Sequence, residues 1–500
     1  MTTSPNTRAV ELNDIQGLVR FGYKHHTQAC FLLLRVKDRD AARAWLASVA
    51  VTNATTIEPP PETALNVALS SAGLHALGVP GDVVDDFSPE FVSGLGDDAN
   101  RTRRLGDVGA NEPGRWQWGV GPRVPHVLVL LYALPGRLDD LQRATEGQCE
   151  AGFETIACLA TVDMDGIEPF GFVDGISQPQ LDWERERRVR DEQLFEYTNL
   201  SCLGEFLLGY PNEYGAYTER PLLEPERDAL ALLPRSEDVP AKVDLGRNGS
   251  YLVMRQLRQD VHGFWQFVDG QSGGDADLRK RLAAVMVGRT LDGEPLVAAR
   301  VTTSSSDGAS SDLNAFDYEA DPRGVGCPLG AHVRRTNPRN ADLPSGEPGL
   351  LARLKRTLGF DAQALERDRV ASTRFHRILR RGREYGPEVP LAQALVGQSD
   401  GADPGLHFIC LGANIARQFE FIQEAWITAT HFDRLSGESD PLLGTRLATP
   451  GETANDGFSI PQASGPDRRI TGLPQFVTVL GGGYFFLPGI RALRYLATAR

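Results

Sequence analysis

Two short segments of this 500-residue chain concentrate side chains that could do chemistry. The first is Gly171-Phe172-Val173-Asp174-Gly175-Ile176-Ser177-Gln178-Pro179. Here a carboxylate stands between glycines that permit tight backbone, and apolar Phe172, Val173 and Ile176 keep it from being freely solvated. An acid so placed can move a proton on a small substrate, although an Asp-Gly pair taken alone more often closes a turn on its own backbone. The tetrapeptide FVDG recurs at 267–270. There Gln266 precedes it and QSGG completes it, so this copy reads as a turn without a chemical role.

The second segment is Gly326-Cys327-Pro328-Leu329-Gly330-Ala331-His332-Val333-Arg334-Arg335-Thr336-Asn337-Pro338-Arg339. A single histidine sits among small and apolar residues and is followed by three arginines. Neutral imidazole is a good iron ligand, and Gly330 and Ala331 would let a flat macrocycle approach the backbone. The planar guanidinium forks suit carboxylates. By itself, a histidine in such a segment is more often structural than a ligand.

Other chemistries are thinly represented. The chain carries no Walker A sequence, no H-E-x-x-H and no dinucleotide-binding G-x-G-x-x-G in a strand-helix setting. Its six cysteines form no C-x-x-C pair, which disfavours a zinc site or a disulfide framework and makes reduced thiols the expectation. C-x-x-C-H is absent as well, so a haem would be held without covalent attachment. The net charge of −14 disfavours nucleic acid and anionic membranes as main partners. No apolar run approaches the ~20 residues of a membrane helix, and the first residues, MTTSPNTRAVELNDIQ, show no export pattern, so a cytoplasmic location is expected.

The elements that must position the two segments follow from hydrophobic periodicity. Strands are expected at 29–36, 64–69, 126–134 and 154–162, with helices at 39–50, 71–77 and 138–148. That β-α-β-β-α-β order is the ferredoxin-like unit. A second, decorated copy is expected from a strand at 251–259, a helix at 276–287, a strand at 406–412 and a helix at 415–426. A hairpin, 476–480 with 484–487 around Gly481-Gly482-Gly483, and a terminal helix at 490–498 complete it. The expected fold class is α+β, with an N-terminal half over 1–210, a polar connecting segment over 211–250 and a C-terminal half over 251–500. The polar stretches 211–249, 302–326, 340–366 and 433–474 should be surface excursions, and the Ser-rich run 302–311 should be flexible.

In this chain order, the G-x-x-D-G of 171–175 and the H-x-R-R-x-N-P-R of 332–339 resemble the paired motifs of the dye-decolourising peroxidases. Similar stretches occur at 66–79 (NVALSSAGLHALGV), 286–289 (MVGR), 374–386 (RFHRILRRGREYG), 417–426 (RQFEFIQEAW) and 481–496 (GGGYFFLPGIRALRYL). The resemblance covers most of the chain. It implies two ferredoxin-like halves of the dimeric α/β-barrel type, with one non-covalent haem b held mainly by the C-terminal half.

Carried over by position, the resemblance makes His332 the iron ligand, Asp174 the distal acid and Arg380 the distal arginine, with Arg381 next should the register slip. Arg339 would meet a haem propionate, and Gly175, Ile176, Ser177 and Gln178 would lie along the haem edge. The implied activity is reduction of hydrogen peroxide with oxidation of dyes, phenolics or other small or bulky aromatic one-electron donors. The low reference pKa of Asp (~3.9) implies an acidic optimum. A homodimer is among the assemblies the resemblance allows. Asp440, with Glu438 in reserve, is the candidate carboxylate behind His332. Tyr385 and Trp426 are candidate electron exits, although core aromatics are the commoner alternative. His25-His26 reads as a surface pair, and His376 as a packing residue on a helix leading to Arg380. Some family members end in a peptide addressed to encapsulin shells, but residues 487–500 read as a helix following the last strand, so no such tag is expected. Two other classes compete: a haem-handling or iron-release protein with incidental peroxidase activity, and a structural ferredoxin-like protein without haem.

Overall fold

The apolar run ACFLLLRV suits a strand buried on both faces. In the computed structural model it forms β1 (Gln28–Val36), an interior strand of a nine-stranded sheet. The structure describes residues 9–187, 198–298, 313–339, 373–397, 401, 403–446 and 455–498. The Ser-rich run 302–311 and the polar stretch 340–366 lie outside them.

β1 runs antiparallel between β3 (Val127–Ala133) and β4 (Phe153–Ala160), and β2 (Thr63–Leu69) lies beyond β3. The helices α1 (Arg39–Ser48) and α2 (Leu138–Cys149) make the crossovers. Asp38 caps α1 by accepting from the Ala41 amide, which explains where that helix begins.

The later strands repeat the arrangement. β5 (Ser250–Gln259) lies between β8 (Gly405–Gly412) and β9 (Val477–Leu487), while β6 (Leu379–Arg380) and β7 (Arg383–Tyr385) both pair with the outer side of β8. Each set has the second-third-first-fourth order of the ferredoxin-like unit. The sets join where Phe486 of β9 meets Leu69 of β2. At the far edges the Val162 amide donates to the Glu384 carbonyl (2.9 Å), and His407 Nε2 contacts the Ala160 carbonyl (3.1 Å), so the sheet curls toward a barrel.

Strand alternation sorts the core into two layers. Phe31, Leu33, Leu130, Met254, Ile409 and Phe485 pack together on one face. Leu32, Leu34, Val129, Val253 and Phe486 face the other way, toward the helices.

Four local expectations are corrected. Val477–Leu487 form one strand, not a hairpin. Its glycines admit a neighbour rather than turn the chain: a Cβ at Gly481 would stand 2.5 Å from Trp118 Nε1, and the register shifts between Val479 and Gly481. FVDG at 267–270 belongs to α3 (Val261–Gln271), where Asp269 ion-pairs with Arg279. The segment 416–428 is helical but of π type, with Glu420 N bonded to Ile415 O at 3.0 Å. Arg380 lies on a strand rather than at a helix end, because 373–385 is a short 3₁₀ turn followed by β6 and β7.

Two of the polar stretches are more deeply embedded than expected. Within 211–249, buried Arg220 bonds buried Asp244 at 2.7 Å. In the described part of 302–326, Phe316 and Tyr318 are core residues. Among the described residues no helix is long and apolar enough to cross a membrane.

Candidate active site

His332 opens the five-residue helix α5 (His332–Thr336), which follows α4 (Ala276–Val287). Its Nδ1 lies 2.9 Å from Oδ2 of Asp440. The other Asp440 oxygen accepts the Leu442 and Leu443 amides at 2.9 and 2.8 Å. Asp440 is wholly buried. Burial pushes this carboxyl up, but His332, its hydrogen bond and Arg335 outweigh burial and hold it below its ordinary range. For His332, burial favours the neutral ring, and Asp440 more than offsets it, leaving a raised pKa. An ionised partner on Nδ1 selects the tautomer whose Nε2 carries a lone pair, and His332 lines a cavity of ≈ 310 Å³. Glu438, the reserve candidate, instead accepts the Ser459 amide (2.9 Å) and hydroxyl.

The arginines after His332 divide by role. Arg335 donates to the carbonyls of Trp426 (2.6 Å), Glu438 (3.0 Å) and Ala429 (2.6 Å), fastening α5 to the π-helical segment. Arg334 donates to the Cys327 carbonyl at 2.7 Å and covers the Tyr318 ring at 4.4 Å. Of these three, Arg339 is the one that reaches the Ser177 hydroxyl (3.4 Å). Gly330 and Ala331 are not part of the cavity wall. A Cβ on Gly330 would meet Leu435 and Phe458, so its small size serves core packing.

Asp174 lines the same cavity from a loop held by backbone bonds. Its amide donates to Gly166 O (2.9 Å) and that of Val173 to Leu291 O (3.1 Å). Gly171 and Gly175 have φ of 97° and 73°, which side-chain-bearing residues rarely adopt. Arg380 Nη1 bonds Asp174 Oδ1 at 2.8 Å, and Nη2 reaches the Ser177 carbonyl at 3.3 Å. Burial raises the Asp174 pKa. Arg380's charge, the Gly175 amide, the Arg380 hydrogen bond and His332 together overcome it, so the carboxylate is held below its usual range.

Strand alternation sends Arg381 the opposite way, where its Nε donates to Leu18 O at 2.8 Å. Gln178 locks Arg380 in place: its side chain accepts from the Arg380 amide (3.0 Å) and donates to the Arg380 carbonyl (3.1 Å). Ile176, Ser177 and Gln178 line the cavity, whereas Gly175 is not among its lining residues and turns the chain beside Asp174.

Sequence reasoning overlooked Arg289, the last residue of MVGR. It is buried and donates to Gly293 O (2.6 Å), Leu313 O (3.0 Å) and Ser177 Oγ (3.0 Å). No carboxylate among the described residues neutralises it. Burial, then the charge of Arg339, lower its pKa to about 10. The signal was present in the quoted stretch, but nothing local separates a cavity arginine from a surface one. Glu168 was overlooked too. It accepts the Phe170 and Phe172 amides (3.1 Å each) and Gln259 (2.7 Å), bracing the Asp174 loop, and burial pushes it up to about 7.

Other candidates have plainer surroundings. Trp426 is buried beside His376 and Phe421, and Tyr385 stacks on cavity-lining His407 at 4.4 Å. His376 packs flat on Phe421 at 3.6 Å. His25 is exposed while His26 is buried and bonds Pro61 O at 2.8 Å. Among the described residues no group of three or more His, Cys, Asp or Glu could hold a metal ion.

No family model matches the chain. A multifunctional dye peroxidase of an Amycolatopsis species is 30% identical over 455 residues, covering 86% of this chain and 82% of that protein. The chain belongs to the dye-decolourising peroxidase family. A dye-decolorizing peroxidase of Mycetinis scorodonius is 28% identical across 98% of this chain and 88% of its own. The crystal structure of a DyP-type peroxidase from the fungus Auricularia auricula-judae superposes with a TM-score of 0.71 at 25% identity, covering 98% of this chain and all of that one. An Anabaena relative at 22% identity shares the fold, with a TM-score of 0.69.

Dye-decolourising peroxidases are haem enzymes, and the cavity suits that group. Its wall is largely apolar, with Val173, Ile176, Phe408, Phe419, Leu442 and Val479. His332 offers it an imidazole nitrogen whose partner nitrogen is held by Asp440, and the Asp174–Arg380 pair lines the same wall. Two arginines, Arg289 and Arg339, converge on the Ser177 hydroxyl, and Arg289 is a buried cation that an anionic carboxylate would balance.

Proposed function

We propose that this peroxidase would hold one non-covalent haem b through His332 and handle hydrogen peroxide with Asp174 and Arg380, which line the same cavity. The observation that carries the assignment is the 2.8 Å Asp174–Arg380 pair in the cavity that His332 also lines. When bound, haem supplies the iron at which peroxide is cleaved and the oxidising equivalents that single-electron donors then discharge.

The chain's own residues do the rest. Asp174, kept ionised by Arg380, accepts the proton of one peroxide oxygen and returns it to the other, which leaves as water. The Arg380 guanidinium stabilises the negative charge that grows as the O–O bond breaks. Asp440 orients the His332 ring and raises its donor strength. Arg339 and Arg289 would hold the propionates, and Ile176, Ser177 and Gln178, which line the cavity, would contact the bound haem.

The reductants proposed are dyes, phenolics and similar aromatic donors. For donors too bulky to enter, Tyr385 is the better-placed relay, being half-buried and stacked on His407, whereas Trp426 is buried. The proposed organisation is an N-terminal half over 1–210, a connecting segment over 211–250 and a C-terminal half over 251–500.

Rapid mixing of haem-loaded enzyme with peroxide tests the assignment. Asp174→Asn and Arg380→Leu should slow the first spectral change, and His332→Ala should lose haem. Wild-type rates in both distal variants would favour the haem-handling alternative.

A further inference from the structure

Outside the cavity, all six cysteines are unbridged, and two of them touch. Cys30 on β1 and Cys158 on β4 are diagonal neighbours across paired strands, since Cys30 opposes Ala160 and Leu32 opposes Cys158. Their Sγ atoms lie 2.8 Å apart. A disulfide needs about 2.05 Å, so small side-chain rotations close the gap. The two thiols differ in surroundings. Cys30 is buried in the helix-side core, while Cys158 is exposed and accepts a contact from Gln142 Nε2 on α2 at 3.4 Å.

We propose that Cys30 and Cys158 form a peroxide-responsive dithiol, with Cys158 as the attacking thiol and Cys30 as the resolving one. The oxidant is hydrogen peroxide, the substrate that this family consumes. The Cys158 thiolate attacks one peroxide oxygen, the O–O bond breaks, and hydroxide leaves to become water, giving a Cys158 sulfenic acid. Cys30 sulfur then attacks the Cys158 sulfur, and the sulfenic oxygen leaves as a second water with the Cys30 proton. Two thiols lose two electrons and two protons as one peroxide is reduced.

The asymmetry of the pair suits these roles. The hydrogen bond from Cys30 holds the Cys158 thiol below its ordinary range against burial and Glu146, whereas the same contact and burial hold Cys30 protonated. The bridge would span 128 positions and pin β1 to β4. It would sit next to Thr161, which exchanges bonds with Ala29 (3.1 and 2.9 Å) and starts the segment leading to Asp174.

The test uses pre-reduced, haem-loaded enzyme given a few equivalents of peroxide, then alkylated and digested without reduction. The expected product is a joined Cys30–Cys158 peptide, two hydrogens lighter and separated by dithiothreitol, with the other four thiols alkylated. The oxidised protein should also melt at a higher Tm than the reduced one. Cys30→Ser should stop at a Cys158 sulfenic acid captured by dimedone, and Cys158→Ser should leave Cys30 unmodified. Free, alkylated Cys30 and Cys158 after peroxide has been consumed would overturn the proposal. So would Cys158 sulfinic acid without any joined peptide. Wild-type mapping decides by itself even if a serine variant does not fold.

Discussion

His332 and Asp440 stand 108 residues apart in sequence and meet at 2.9 Å, with Asp440 buried completely. The contact crosses from the first residue of the H-x-R-R-x-N-P-R motif to a stretch that looks like a solvated loop. Replacing Asp440 by Ala removes the acceptor that orients the ring. Loss of such a partner typically costs ~10–100-fold in metal affinity or activity. Haem transfer to an apo-acceptor protein should therefore accelerate by that order, and the iron–histidine stretch in the ferrous Raman spectrum should fall. An unchanged stretch would remove Asp440 from this role.

The Asp174–Arg380 pair predicts large kinetic effects. Positioned proton transfer contributes roughly 10²–10⁴-fold and a preorganised charge roughly 10²–10³-fold. Stopped-flow rates of peroxide reaction should drop by about that much in Asp174→Asn and in Arg380→Leu. The two losses should not multiply in the double variant, because each residue acts through the other.

The same pair fixes the direction of a pH effect. Asp174 has a folded pKa below the usual carboxylate value, so it stays a competent base as pH falls through that range, and activity extends into acid. In Arg380→Leu the largest lowering influence is gone while burial remains. The acid limb of the rate profile should then move to higher pH. Peroxide reaction rates measured from about pH 3 to 8 check both. A limb that stays in place would mean that another group is titrating.

Gln178 is expected to act through position alone. Its amide makes two hydrogen bonds to the Arg380 backbone, at 3.0 and 3.1 Å. Gln178→Ala should cost about 1–3 kcal/mol of stability, near 0.5–1.5 per bond. It should also slow peroxide activation less than Arg380→Leu does. Thermal melts and stopped-flow traces on one preparation separate the two effects.

Arg289 should matter for haem retention. A charge-assisted contact to a propionate is worth roughly 1.5–3 kcal/mol, or about 10–100-fold in affinity. Arg289→Leu should weaken haem binding by that order and leave the peroxide rate of the loaded fraction close to wild type. Titration of apoprotein with haem, followed in the Soret region, reads this directly.

The sequence alone determined a good deal here. His332 and Asp174 stood out because each lies in a contiguous run whose order can be read without coordinates. Most strands were legible from apolar runs and alternation, as at 29–36 and 251–259. The glycines at 481–483 misled, since a glycine needed for Trp118 to approach looks the same in sequence as one needed for a turn. Tertiary structure decided the rest. Pairing of β6 with β8 turned Arg380, not Arg381, toward Asp174 across 206 positions. Burial of 438–442 converted a loop acid, Asp440, into a partner for His332. Carbonyls of the π-helical segment claimed Arg335, while Ser177 gathered Arg289 and Arg339. A one-dimensional pattern records which groups a chain owns. Which of them lose water, and which charges they meet when they do, depends on contacts between distant segments, and those contacts set both pKa and role.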